Sequence, residues 1–288
     1  MKSVPLYDAH LHLQFFTDAG ERSRVAEVLT EIGVRGIVCN GTSPGDWPLV
    51  HQLAMSLPWI LPSYGLHPWD AGNRSPSWRN ELEKYLAQNP HAAVGEIGLD
   101  RWMTDRARPD DPRLQGLRRA SLPEQQEVLE QQLELCERYQ RVVSLHCLEA
   151  WSELLQILRK HAATKLSRGF LLHAYGGPSE WVSELADLGA YFSFNGHLLN
   201  SRYQKKRDTF KLIPEDRLLV ETDAPAMTLP VTAEKYTLRA GSDGEPRNHP
   251  ANITVAYSAL AELRGVSLQS LATRIEGNFR RLFLANPV

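Results

Sequence analysis

The sequence predicts an α/β chain folded as a (β/α)8 TIM barrel, a single domain over residues 1–288 with an extra C-terminal helix. Three observations predict it. Short apolar runs alternate with longer stretches of helical period along the whole chain. A polar side chain capable of chemistry stands at or near the end of almost every run. The first run leads into His10-Leu11-His12, where an open dinucleotide-binding sheet would carry Gly-x-Gly-x-x-Gly.

The strand candidates are Pro5–Leu13, Val34–Asn40, Trp59–Gly65, Ala92–Leu99, Arg141–Cys147, Gly169–His173, Ala190–Phe194 and Arg217–Thr222. The helical stretches between them are Ala19–Ile32, Trp47–Leu57, Trp78–Gln88, Leu122–Tyr139, Trp151–His161, Ser179–Leu188 and Ser201–Leu212. Two more, Ala251–Arg264 and Leu268–Phe283, close the chain and are expected to pack on the barrel. Gly33 and Gly189 follow helices as C-caps, and Ser121-Leu122-Pro123-Glu124 has the pattern of a capping box. Two segments are irregular: Arg101–Ala120 is charged, and Ala224–Pro250 is rich in Pro and Gly. Long loops after barrel strands are where function concentrates.

Composition removes several classes. Hydrophobic residues make up 42% and charged residues 23%, an ordinary globular balance. No apolar stretch approaches the ~20 residues of a membrane span, and Met1–Pro5 lacks a signal-peptide core. A cytoplasmic protein is expected, and no protein partner is inferable. With 32 basic and 34 acidic residues, the net charge of −2 excludes holding nucleic acid by bulk positive charge. The three cysteines, with no Cys-x-x-Cys, fit a reducing compartment.

The strand ends carry the chemistry. They supply in turn His10 and His12, Asn40, His67, Glu96, His146, His173, Asn195 and Asp223. In a barrel all of these ends converge on one mouth. Buried imidazoles and carboxylates are costly unless paired or metal-bound, and one or two divalent cations would satisfy this set. His10 and His12, two apart on a strand, share a face; the bland reading is a pair of partly exposed histidines. A carboxylate such as Glu96, amid the mouth, can bridge two cations through its two oxygens; the bland reading is a salt bridge near a turn. His146 and His173 each end an apolar run, where a lone histidine is more often a core residue bonded to a carbonyl. Asp223 precedes Pro225 and could be a turn aspartate. His67, in Gly65-Leu66-His67-Pro68, sits at the rim, either as a group for substrate phosphate or leaving-group protonation or as a loop cap.

Other residues are assigned differently. His51, His91 and His161 read as surface residues beside helices, and His197 and His249 receive no role. Arg202–Arg207 is either a solvated helix face or a phosphate contact. Trp69 and Trp102 could stack on a base or pack under a loop. A phosphate loop is absent, and Cys147, adjacent to His146 on a strand, points to the opposite face.

Together these segments resemble the TatD family of metal-dependent deoxyribonucleases, among the amidohydrolase-like barrels. The matching pieces are Tyr7-Asp8-Ala9-His10-Leu11-His12, Gly65-Leu66-His67-Pro68, Gly95-Glu96-Ile97-Gly98-Leu99-Asp100, Ser144-Leu145-His146, Leu172-His173-Ala174-Tyr175-Gly176-Gly177 and Glu221-Thr222-Asp223-Ala224-Pro225. Arg247–Asn252 and Asn278–Phe283 also fit, so the resemblance spans essentially the whole chain.

The resemblance implies two adjacent metal sites, one held by His10, His12, Glu96 and Asp223, the other by Glu96, His146 and His173. It also implies hydrolysis of DNA phosphodiesters, often from the 3′ end, on single strands or ends. Departures are Leu148 where Arg is common, Ala174-Tyr175 where Cys-Phe is common, and Ala226-Met227 where an aromatic is usual. They bear on substrate more than on hydrolysis. Asp223, Glu96 and His67 are expected to be catalytic, with Asp223 taking the proton of a water activated between two cations. Zn, Mn or Mg all suit such ligands. The rivals are a metallohydrolase of another ester or amide, such as a small lactone or an aminoacyl-tRNA, and a non-catalytic barrel; the latter is disfavoured because no ligand is missing.

Overall fold

The computed structural model describes residues 4–16, 18–161, 164, 166–241 and 244–285. Expectations resting on Met1–Ser3 or on residues 286–288 lie outside these. Eight parallel strands run β1 (Leu6–Leu11), β2 (Val34–Asn40), β3 (Ile60–Tyr64), β4 (Ala93–Asp100), β5 (Val143–Leu148), β6 (Phe170–Leu172), β7 (Ala190–Asn195) and β8 (Leu218–Glu221). They are hydrogen-bonded in chain order. The ring closes just past β8, where Asp223 N–H donates to His10 O (2.9 Å) and His12 N–H to Ala224 O (2.8 Å). The expected barrel is thus present, and the closing bonds are made by residues of the expected site.

The helices are α1 (Ala19–Glu31), α2 (Trp47–Ser56), α3 (Pro68–Ala71), α4 (Trp78–Gln88), α5 (Arg101–Asp105), α6 (Leu122–Tyr139), α7 (Trp151–His161), α8 (Val182–Asp187), α9 (Gln204–Thr209), α10 (Ile253–Arg264) and α11 (Leu268–Phe279). Their apolar stripes face the strands: α7, for instance, buries Leu154, Leu155, Ile157 and Leu158. Ser121 caps α6 as the sequence suggests, its hydroxyl accepting from Glu124 N–H at 3.4 Å. The two C-terminal helices cover the closing seam. The Tyr257 hydroxyl on α10 donates to Tyr7 O (3.1 Å) and accepts from Tyr7 N–H (3.0 Å), and the Phe279 ring on α11 lies 4.8 Å from the Tyr7 ring.

Several boundaries differ from expectation. The stretch Ser179–Leu188 divides into a 3-10 turn and α8, Ser201–Leu212 into a 3-10 turn and α9, and the last helix ends in a π-turn at Arg280–Leu284. Short helices α3 and α5 were not expected; each is a single turn or so, too brief for a periodic signal. His12 and His173 lie just beyond their strands rather than within them.

Arg101–Ala120 is pinned rather than loose. Trp69 and Trp102 stack at 6.2 Å and, with Leu117, pack against Met103, Ala107 and Leu114. The Arg113 guanidinium lies 4.4 Å above Trp102. The pair therefore packs under a loop. A clamp fastens this region to α6: Glu124 receives Arg74 (2.5 Å) and Arg118 (2.7 and 3.0 Å). Arg118 and then Arg74 hold the Glu124 carboxyl down to about 2, from an ordinary 4.5. The stabilisation is therefore present above pH 4.5 and lost as pH falls toward 2. Glu124→Gln is expected to cost about 1 kcal/mol at pH 7, modest because Arg118 is largely exposed. In denaturant titrations the difference from wild type should vanish near pH 2.

Candidate active site

All the ionisable residues singled out at strand ends meet at one place. His10, buried completely, and His12, 5% exposed, bring their Nε2 atoms to 3.2 Å. Both face Glu96 Oε2, at 3.3 and 3.2 Å, and Asp223 Oδ1, at 3.7 and 3.3 Å. The other Glu96 oxygen faces His146 Nδ1 (2.8 Å), His173 Nε2 (2.9 Å) and His67 Nε2 (3.5 Å). Glu96 thus stands between two halves, one oxygen to each. Metal-compatible groups of donor atoms, each within 4.8 Å, link the same residues in overlapping sets: His10-His12-Glu96, His10-His173-Asp223 and His67-Glu96-His146. The overlap reflects how tightly the cluster is packed, and the two faces of Glu96 give the clearest division.

Local sequence explains the convergence. Glu96 reaches the centre because β4 can press against β5. At Gly98, where φ is +149°, a Cβ would lie 1.9 Å from His146 O, a place only glycine fills. Asp223 has φ +52°, a left-handed conformation that Asp and Asn tolerate better than other side chains. His67 caps α3, its Nδ1 accepting from Trp69 N–H at 3.2 Å. That leaves its Nε2 as the protonated nitrogen in the neutral ring, directed toward Glu96.

The donor set fits a divalent cation on one decisive observation. His12 Nδ1 lies 2.7 Å from Asn40 O, which can only accept, so Nδ1 carries the proton. In the neutral ring Nε2 then offers a lone pair to Glu96 Oε2 and Asp223 Oδ1, which as carboxylate oxygens also only accept. Something positive must lie among them, a proton or a metal ion. Separations of 3.2–3.7 Å match the edges of a coordination shell with bonds of about 2.1 Å. Where protons fill that role, the opposing effects are clear. Burial depresses the His12 imidazole, yet Asp223 and Glu96 lift it to about 10. Burial likewise depresses His146, which Asp100 and Glu96 lift to about 9. Burial opposes ionisation of Glu96, but His173, His67 and His10 hold it well below the usual range.

A chelator test follows from this fit. If a cation occupies the cluster, stripping it removes about 2.7 kcal/mol at a hundredfold excess over Kd. The thermal midpoint is expected to fall by about 5–10 °C for a chain of this size, read by calorimetry with and without a strong chelator.

Some residues lie outside the cluster. His161, expected at the surface, is buried and paired with Glu130 at 2.7 Å; it sits at the end of α7, where the stripe turns inward. His197 bonds Thr228 O (3.0 Å), and His249 caps a turn by accepting from Ala251 N–H (3.0 Å). Arg202 and Lys206 lie over the Tyr203 ring at 4.6 and 5.6 Å. Two buried carboxylates in contact with the cluster received no role from sequence. Asp100 lies 3.3 Å from His146 Nε2, and Glu221 lies 3.6 Å from His173 Nδ1. The spacing Glu221-x-Asp223 repeats the His10-x-His12 logic and would have flagged Glu221.

An eight-stranded parallel barrel with imidazoles and carboxylates gathered at the carboxyl ends of its strands defines the class of metal-dependent barrel hydrolases. The family model described as TatD related DNase matches residues 7–284, and the chain belongs to that family. It is 28% identical over 278 residues to the metal-dependent hydrolase YjjV of Escherichia coli K12, covering 96% of each. It is 29% identical over 282 residues to the 3′-5′ ssDNA/RNA exonuclease TatD of Pantoea vagans, covering 96% of this chain and 99% of that one. The crystal structure of the E. coli TatD homologue YjjV superposes with a TM-score of 0.81, over 97% of this chain and 98% of that one. Among the described residues no helix is long and apolar enough to cross a membrane.

Proposed function

We propose that this metal-dependent hydrolase is a deoxyribonuclease that cleaves phosphodiester bonds at the 3′ ends of single-stranded DNA. The observation that carries the reading is Glu96, one oxygen toward His10 and His12 and the other toward His146 and His173. In this reading His10, His12, Glu96 and Asp223 hold one divalent ion, and Glu96, His146 and His173 hold a second. Such a pair, when bound, supplies an acidified water and neutralises phosphate charge. That suits a nuclease whose own net charge is −2.

The chain's own groups do the rest. Asp223 Oδ1, beside both first-strand histidines, orients the water and accepts its proton. His67 has its Nδ1 occupied by Trp69 N–H, so its Nε2–H faces outward from the cap as a donor. It positions a phosphate oxygen by donating a hydrogen bond, and the leaving oxygen takes its proton from water. His12 is kept in one tautomer by Asn40 O.

The test is a metal-reconstituted assay with end-labelled single-stranded DNA, duplex DNA and RNA, run beside lactone and aryl-ester substrates. Stepwise loss of nucleotides from the 3′ end of single strands is expected. A second reading, hydrolysis of another ester or amide, is favoured by one feature. Leu148, 36% exposed at the end of β5, puts an apolar side chain near the mouth where the family resemblance leads one to expect Arg. Turnover of lactone or aryl ester with none of DNA would select it.

A further inference from the structure

The histidines of the two halves are backed differently. His10 Nδ1 meets the Ser144 hydroxyl at 2.9 Å, and His12 Nδ1 meets a backbone carbonyl. Both backing groups are neutral. His146 Nε2 instead faces Asp100 Oδ2 at 3.3 Å, and His173 Nδ1 faces Glu221 Oε1 at 3.6 Å. Asp100 and Glu221 are both completely buried.

Each of these carboxylates is held from behind. Asp100 is the last residue of β4 and the N-cap of α5. Its Oδ1 accepts from Met103 N–H (2.8 Å) and its Oδ2 from Trp69 Nε1–H (2.6 Å). Glu221 accepts from the Ser193 hydroxyl and from Asn195 Nδ2 at 3.4 Å. These partners all donate. The lone pairs left over therefore demand a proton from the neighbouring imidazole. For His146 that places the proton on Nε2 and leaves Nδ1 bare toward Glu96; for His173 it places the proton on Nδ1 and leaves Nε2 bare toward Glu96. His173 Nδ1, otherwise without a hydrogen bond among the described residues, is aimed at Glu221.

We propose that Asp100 and Glu221 are positioning residues that fix the tautomers of His146 and His173, and that Trp69 holds Asp100 to this task. The consequence is selective. The half of the site around Glu96 Oε1 gains two outer carboxylates, which raise the basicity of its imidazoles. The half around Oε2 relies on Asp223 directly. Losing an outer carboxylate then weakens one ion and spares the other. This rests on the two-ion reading of the site.

The variants are Asp100→Asn, Glu221→Gln and Trp69→Phe. An amide cannot accept on both of its terminal atoms. Both oxygens of Asp100 and of Glu221 already take donors, so the new amide at either position leaves a donor behind it or the imidazole N–H without an acceptor, and the ring's tautomer is no longer fixed. Mn2+ binding to the metal-stripped protein is read by titration calorimetry and elemental analysis, with circular dichroism to verify folding. Wild type is expected to bind two ions per chain. Asp100→Asn and Glu221→Gln should each bind one ion as wild type does and the other about 10–100-fold more weakly. Trp69→Phe, which leaves both carboxylates in place and removes only the donor behind Asp100, should weaken the same ion by a smaller factor. Should Asp100→Asn misfold, Glu221→Gln and Trp69→Phe carry the test. Unchanged binding of both ions, or equal weakening of both, overturns the assignment. A wild type that binds no Mn2+ instead overturns the reading of the metal site itself.

Discussion

Glu96→Gln is expected to abolish measurable turnover and reduce bound divalent metal, because both halves of the site share this one carboxylate. Its two oxygens lie 2.8–3.5 Å from ring nitrogens of five different histidines: Oε2 meets His10 and His12, and Oε1 meets His67, His146 and His173. Glutamine keeps the shape but offers one acceptor and one donor, so one half must face an N–H. Several kcal/mol of transition-state stabilisation would be lost, which at about 1.36 kcal/mol per decade is on the order of 10^4-fold in kcat. Metal content by elemental analysis and single-turnover kinetics read the two effects separately. A variant that kept its bound metal and near-normal turnover would remove Glu96 from the centre of the site.

Asp223→Asn tests the proton acceptor. Asparagine tolerates the left-handed backbone at φ +52°, so the substitution leaves the loop unstrained, whereas alanine would not. The fold and the closing bond from residue 223 N–H to His10 O should survive. An amide does not take a proton from water at neutral pH, and kcat is expected to fall about 10^2–10^4-fold. If the residue acts only in the transition state, kcat and kcat/KM fall together; a rise in KM alone would instead make Asp223 a binding group. Near-wild-type rates would refute its role as base.

The barrel was legible because short apolar runs, buried on both faces as strands of a parallel sheet are, alternate with longer stretches of period 3.6. The site was legible for a related reason. In a parallel barrel all carboxyl ends lie on one side, so a polar residue ending an apolar run is already placed at the mouth. That logic brought out His10, His12, Glu96, His146, His173 and Asp223, and the structure brings all six together with His67. It passed over Asp100, which also ends the β4 run, because Glu96 stood for that strand. Nor did it place His161, whose burial depends on Glu130 of a different helix.

The sequence by itself determined the alternation of strands and helices, the positions of the ionisable strand ends and the absence of a bulk positive charge. These are local properties, set by periodicity and residue type. Only the tertiary structure decided which oxygen of Glu96 meets which imidazole, which ring nitrogen is left bare, and which buried carboxylates stand behind His146 and His173. Those depend on side chains far apart in the chain, such as His10 and Asp223, being brought to 3.7 Å, and on hydrogen bonds whose direction follows from partners that no local pattern names.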